Sequence, residues 1–161
     1  MTDEQLAAAV GEVLRARRWK RALAESCTGG LVGHLVTNVA GSSDYFVGGV
    51  IAYSNEAKEQ LLGVSRETLV RHGAVSEPAA REMAHGARRL LGADVALSVT
   101  GIAGPGGGSS DKPVGLVYVA LDAVDRQECR RYVWGGDREQ NKAHSARAAL
   151  EMLCDYLTAR G

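Results

Sequence analysis

The stretch Ala24-Glu25-Ser26-Cys27-Thr28-Gly29-Gly30 decides how this chain is read. Before it lies a short apolar run, Ala22-Leu23-Ala24, with the character of a buried strand. After it comes Leu31-Val32-Gly33-His34-Leu35-Val36, with apolar residues at helical spacing. A strand that turns into a helix through Ser, Cys, Thr and two glycines presents a hydroxyl or a thiol at the turn. The unpaired N–H groups of a first helical turn lie beside it, at the positive end of the helix dipole. A nucleophile next to fixed N–H donors suits acyl transfer, because the donors hold the oxyanion that forms. The same residues also suit a plain helix cap with glycines for a tight turn.

Toward the N-terminus, Thr2 and Gln5 have capping-box spacing. Leu6, Val10, Val13 and Leu14 mark one face of a helix ending in Arg15-Ala16-Arg17-Arg18. Arg21 to Ala24 is the first strand and Thr28 to Thr37 the helix after the turn; Asn38 to Asp44 is a loop. Phe46 to Tyr53 reads as a second strand whose paired glycines suggest a bulge or a close backbone approach. Ser54 caps a helix from Asn55 to Leu62, ended by Gly63, and Ser65 caps a short one that stops at His72-Gly73. Ser76-Glu77-Pro78 opens a helix with a stripe of Ala80, Met83, Ala84, Ala87 and Leu91, closed by Gly92. Val95 to Val99 is a third strand; Val114 to Leu121 and Glu128 to Trp134 are two more in succession. The last helix starts at Asp137 with Gln140 placed for a capping box, and its seam is Ala143, Ala146, Leu150, Leu153 and Leu157. Helices alternating with strands predict a three-layer α/β domain, and the two late consecutive strands predict a mixed sheet.

Lys58 is the most informative single residue outside the Ser26 turn. At 100° per residue it falls inside the apolar arc of Ala57, Leu61 and Leu62, while Glu56, Glu59 and Gln60 fall outside. A lysine pointing inward loses hydration, which lowers its pKa and makes it a general base near neutral pH. The alternative is a buried stem with the amine reaching water. Tyr53, at a strand end, is placed to orient a substrate or assist proton transfer, or simply to pack. The segment Gly101 to Gly108 follows a strand as phosphate loops do, but it lacks Gly-Lys-Ser/Thr and leads into a strand. It reads as a pocket lining or a flexible connection, with Thr100 offering a hydroxyl at its start. Arg138 sits in the first turn of the last helix, a position suited to clamping a phosphate or carboxylate, or to pairing with Asp137 or Glu139. Lys142 lies one turn on, on the same side.

These motifs resemble those of the CinA C-terminal domain family. The resemblance is carried by the Ala24–Gly30 stretch, Gly49-Val50-Ile51-Ala52-Tyr53-Ser54-Asn55-Glu56-Ala57-Lys58, His72-Gly73-Ala74-Val75-Ser76-Glu77 and Thr100-Gly101-Ile102-Ala103-Gly104-Pro105. Lys112-Pro113-Val114-Gly115 and Gly136-Asp137-Arg138 complete it, in family order over nearly the whole chain. Stand-alone domains of this family are similar to nicotinamide-mononucleotide deamidase, which hydrolyses the carboxamide of the mononucleotide and releases ammonia. The resemblance implies an α/β/α sandwich, a homo-oligomer (most simply a dimer), no metal, no cofactor and a Ser–Lys mechanism. It implies Ser26 as nucleophile, Lys58 as base, and Tyr53, Thr100 and Arg138 around the substrate. Thr28, Gly29 and Gly30, with Gly101 and Gly104, would line the substrate. N–H groups near Thr28 and Gly29 would hold the oxyanion, and Arg138 with the Gly101–Gly108 loop the phosphoribosyl part. Lys142 stands where the family pattern leads one to expect arginine. The same residues would serve a nucleotide-binding regulatory module without catalysis, or a hydrolase of another amide or ester.

Composition narrows the field. The expectation is one domain over residues 1–161, without room for the nucleotide-pyrophosphatase domain of larger family proteins. Lysines and arginines (19) balance aspartates and glutamates (19), so no basic field argues for nucleic acid. No apolar run reaches membrane-spanning length, and the acidic, polar start is unlike a secretion signal. Cys27, Cys129 and Cys154 are far apart, which predicts reduced thiols and a cytoplasmic setting. His34, His72, His85 and His144 are scattered without metal-site spacing, as surface or packing residues are.

Overall fold

Short runs of small and branched apolar residues, covered on both faces, become the inner strands of one sheet. The computed structural model describes residues 1–159. The strands are β1 (Arg21–Glu25), β2 (Phe46–Ile51), β3 (Val95–Gly101), β4 (Leu116–Ala123) and β5 (Gln127–Val133). They lie in the order β2-β1-β3-β4-β5. β1 pairs in parallel with both β2 and β3, whereas β3–β4 and β4–β5 are antiparallel, so the sheet is mixed.

Alternation along the strands builds two unlike faces. Leu23, Leu97, Val99, Val117, Val119 and Leu121 meet α1 (Asp3–Arg17), α2 (Leu31–Thr37) and α6 (Arg138–Ala159) in the larger core. The opposite face offers Ala22, Ala24, Ala96 and Ala120, and against these small residues lies α5 (Glu77–Leu91) through Ala80, Met83, Ala84 and Ala87. Helices α3 (Asn55–Leu62) and α4 (Arg66–His72) pack on α5, which completes an α/β/α sandwich.

The predicted caps at Thr2, Ser54, Ser65 and Ser76 hold. Thr2 and Gln5 form a capping box, and Ser54, Ser65 and Ser76 accept from the third helical N–H of α3, α4 and α5. Boundaries shift where backbone geometry intervenes. The helix expected from Thr28 starts at Leu31, because Gly29 and Gly30 take positive φ (60° and 104°). The strand expected to reach Tyr53 stops at Ile51, and the one expected from Val114 starts at Leu116, after Gly115 at φ 91°. Leu61 and Ala143, read as core positions, are exposed.

Two buried charges have opposite settings. Asp122, fully buried, accepts from Arg88, His85 and Gln127. The guanidinium of Arg21, also fully buried, has no hydrogen-bond partner among the described residues and lies 5.5 Å from the Tyr45 ring centroid. Burial lowers its pKa to about 10, so it stays charged at neutral pH.

The sandwich fixes α3 through one close approach. A methyl group on Gly86 would overlap the backbone carbonyl at Leu62, so only glycine lets α5 pass beneath the end of α3. Gly86→Ala should cost about 1–3 kcal/mol, seen as a fall of about 2–12 °C in Tm. Gly106→Ala, where the added methyl meets open space, should leave Tm unchanged. An unchanged Tm for Gly86→Ala would contradict this packing.

Candidate active site

The chain passes from β1 to β2 on one side and returns to β3 on the other. Such a switch point opens a crevice at the carboxyl ends of the strands. A cavity of about 210 Å³ lies there. Ser26 follows β1, Tyr53 follows β2, and Thr100 and Gly101 end β3, so all four line it together with Lys58 and Arg138.

Lys58 and Ser26, far apart in sequence, meet in the cavity wall. Lys58 Nζ lies 3.1 Å from Ser26 Oγ, 2.8 Å from the Ala52 carbonyl oxygen and 3.2 Å from that of Tyr53. The side chain is 1% exposed, so the amine does not reach water along a buried stem. All three partners are uncharged oxygens. Burial therefore lowers the Lys58 pKa below the usual lysine value. The valence count is informative. An ammonium donates to all three oxygens; a neutral amine donates to the two carbonyls and keeps its lone pair for the Ser26 hydroxyl proton.

Cys27, the competing nucleophile, lines the same cavity. Burial pushes its thiol up to about 12, so it is a neutral thiol at physiological pH. The buried amine is thus bonded to the Ser26 hydroxyl, while Cys27 stays a neutral thiol beside it.

The helix terminus behind Ser26 is not free, contrary to the sequence expectation. The buried Glu25 carboxylate accepts from Thr28 Oγ1 at 2.6 Å and from the N–H groups of Gly30 (3.2 Å), Val32 (3.0 Å) and Gly33 (2.9 Å). Gly29 N–H donates to the Ser26 carbonyl. Gly29 and Gly30 thus shape the turn with N–H groups expected to bind substrate, and Thr28 does so with its hydroxyl. The turn amides with no acceptor among the described residues are those of Cys27 and Thr28.

The outer wall is polar. Arg138 donates to the Gly104 carbonyl at 2.8 Å and to the Tyr53 hydroxyl at 3.3 Å, and pairs with neither Asp137 nor Glu139. Tyr53 is 62% exposed, its phenol on Arg138 and its backbone carbonyl on Lys58. The buried Thr100 hydroxyl donates to the Ala74 carbonyl, which ties the α4–α5 connection to the cavity. Gly101 and Gly104 are needed for packing: a methyl group on either would press on Val117 or Val114. Asp137 and Gln140 form the expected capping box at α6. Lys142 lies beside Gly29, in a groove shared with Arg138, Glu139 and Leu31.

Two supports escaped the sequence reading. Asn141, buried, bonds both the Gly136 N–H and the Ala103 carbonyl and so fixes the loop that Arg138 also holds. Lys112 reaches the His72 carbonyl across the same rim. Among the described residues no group of three His, Cys, Asp or Glu is placed to hold a metal ion, and no helix is long and apolar enough to cross a membrane.

The lysine setting predicts a pH dependence of stability. Between its lowered folded pKa and the ordinary value of about 10.4, the unfolded chain carries the extra proton. Stability contributed by Lys58 therefore rises with pH across that window. The unfolding free energy of wild type minus that of Lys58→Met, from urea titrations, should shift toward wild type as pH rises toward the ordinary lysine value of about 10.4. A difference independent of pH would contradict a desolvated amine.

Comparison with known proteins identifies the family and the fold. Residues 3–157 match the model of the CinA C-terminal domain. A CinA-like protein of Thermotoga maritima is 46% identical over 161 residues, covering 99% of this chain and 39% of its own length. One of Geobacter sulfurreducens is 51% identical over 153 residues, covering 94% and 37%. The chain thus spans about two-fifths of the length of the curated relatives it matches. The crystal structure of a competence/damage inducible protein from Agrobacterium tumefaciens superposes with a TM-score of 0.94 at 42% identity, covering 98% of this chain and 97% of that one. A CinA superfamily protein from Klebsiella pneumoniae gives 0.95 at 36% identity, with 99% of each chain covered. The chain belongs to the CinA C-terminal domain family.

Proposed function

We propose that this chain is an amidohydrolase that converts the carboxamide of nicotinamide mononucleotide to the carboxylate and releases ammonia. The observation that carries the reading is the buried Lys58 amine, 3.1 Å from Ser26 Oγ with two carbonyls as its other partners. Neutral Lys58 takes the Ser26 proton as the hydroxyl oxygen attacks the amide carbon. The oxyanion is held by turn amides, for which those of Cys27 and Thr28 are available. The tetrahedral intermediate collapses as protonated Lys58 gives its proton to the departing nitrogen. Water then attacks the ester carbon as Lys58 takes its proton; the ester C–O bond breaks, Lys58 returns the proton to Ser26 Oγ, and the acid is released.

The substrate class rests on the rim. The inner cavity admits an amide on a small ring. Arg138, without a carboxylate partner and with Lys142 one turn on, supports an anionic tail outside it. Binding of that tail would position the amide. A homo-oligomer, as the resemblance implies, working in the cytoplasm, as the separated cysteines suggest, is part of the same proposal.

Ammonia release from the mononucleotide, the riboside and free nicotinamide tests the reading. Release mainly from the mononucleotide is expected. Tight binding without release would identify a nucleotide-binding module instead, and release from another amide a different hydrolase. Ser26→Ala should remove activity with folding intact, and Cys27→Ser should keep it. Lys58→Arg should fall as far as Lys58→Ala, by at least about 100-fold, since a guanidinium keeps its proton at usable pH.

Arg138→Ala should raise KM for the mononucleotide far more than it lowers kcat. Loss of a charge-assisted contact of about 1.5–3 kcal/mol corresponds to about one to two decades in kcat/KM. Turnover of the riboside should change little. Equal losses on both substrates would show that Arg138 does not read the phosphate.

A further inference from the structure

We propose that Glu25 is a positioning residue for the Ser26 nucleophile: its carboxylate takes the start of α2 as an internal ligand. The turn amides left for the reacting oxygen are then those of Cys27 and Thr28. The inference rests on the Ser26–Lys58 reading above, but not on which amide is cleaved.

The chain is held on both sides of Ser26. The Glu25 carbonyl accepts from Ala52 N–H at 2.8 Å, and Ser26 N–H donates to the Val99 carbonyl at 3.0 Å, so the backbone is fixed between β2 and β3. The Glu25 side chain, 4% exposed, then reaches back under the turn to one hydroxyl and three amides. Oε1 takes Thr28 Oγ1 and the Gly30 and Val32 N–H groups, while Oε2 takes Gly33 N–H. Hydrogen bonds to an ionised acceptor are about twice as strong as neutral ones. Four of them on one buried group leave the turn one conformation.

This placement has a chemical consequence. A helix terminus open to the cavity would attract any anion, including the acid that hydrolysis releases. With Glu25 seated there, the positive end of α2 is neutralised from inside. Stabilisation of the oxyanion then falls to two amides whose positions are set by the turn. Glutamate is required: glutamine keeps an oxygen for the three donors at Oε1 but sets an NH2 group against Gly33 N–H.

The test uses two readouts on the whole chain. One is kcat and KM for nicotinamide mononucleotide. The other is the rate of Ser26 labelling by a fluorophosphonate, followed by mass spectrometry, which needs the nucleophile and the oxyanion donors but no amide. Glu25→Gln should lower both kcat and the labelling rate by about 100-fold, the size of losing one oxyanion donor, with KM within about threefold of wild type. Thr28→Val, which removes one of the four donors, should lower both by about tenfold and carries the test alone if Glu25→Gln does not fold. Wild-type kcat and labelling rates in the folded variants, or losses in KM alone, overturn the proposal. If wild type labels at Ser26 but releases no ammonia, the substrate reading fails, and the labelling rates of the variants still decide the role of Glu25. If wild type does not label at Ser26, the Ser–Lys reading itself fails and this inference with it.

Discussion

An amine enclosed by three uncharged oxygens is the constraint around which this molecule is arranged. Lys58 meets Ser26 Oγ and the carbonyls of Ala52 and Tyr53, and no carboxylate is among its hydrogen-bond partners. Such a site is unfavourable to a charge, and it exists only because strong local structure holds its walls. The end of β1 supplies Ser26, and the end of β2 turns two carbonyls inward. Ser54 caps α3 so that Lys58 falls on the inner side of its first turns. The close approach of Gly86 to the end of α3 keeps that helix down on α5. Parallel pairing of β1 with β2 and β3 is what brings these ends to one edge.

The site divides into a buried part and an exposed rim. In the buried part, loss of hydration lowers the Lys58 pKa and raises that of Cys27, which leaves Cys27 a neutral thiol beside the Ser26 hydroxyl. At the rim, Arg138 ties Tyr53 to the Gly104 carbonyl, and Asn141 ties Ala103 to Gly136. Polar side chains thus brace irregular backbone where the sheet ends. Glu25 connects the two parts, since it fixes the turn carrying Ser26 from within the core.

Residues whose role follows from local periodicity were legible before the structure. Ser26 is marked by the change from strand to helix, and Lys58 by its place among apolar residues four apart, although Leu62 rather than Leu61 shares its buried side. The layered fold followed from alternating elements, and the mixed sheet from two successive late strands. Tertiary partners were not legible. A glutamate at a strand end reads alike whether it faces water or a helix terminus, so the turn amides were expected to be free. Thr100 was visible as a hydroxyl at the cavity, but not as the donor to Ala74. The burial of Asn141 and Arg21 was not visible in the sequence, because it is created by segments distant in the chain.

The Lys58 amine is desolvated beside Ser26 Oγ, and burial lowers its pKa. The chain has four lysines, Lys20, Lys58, Lys112 and Lys142, so a carbon-13 NMR titration of their ε positions resolves each one. One resonance is expected to titrate below the ordinary value of about 10.4, and its absence in Lys58→Met assigns it. Four resonances that all titrate at the ordinary value would contradict the account.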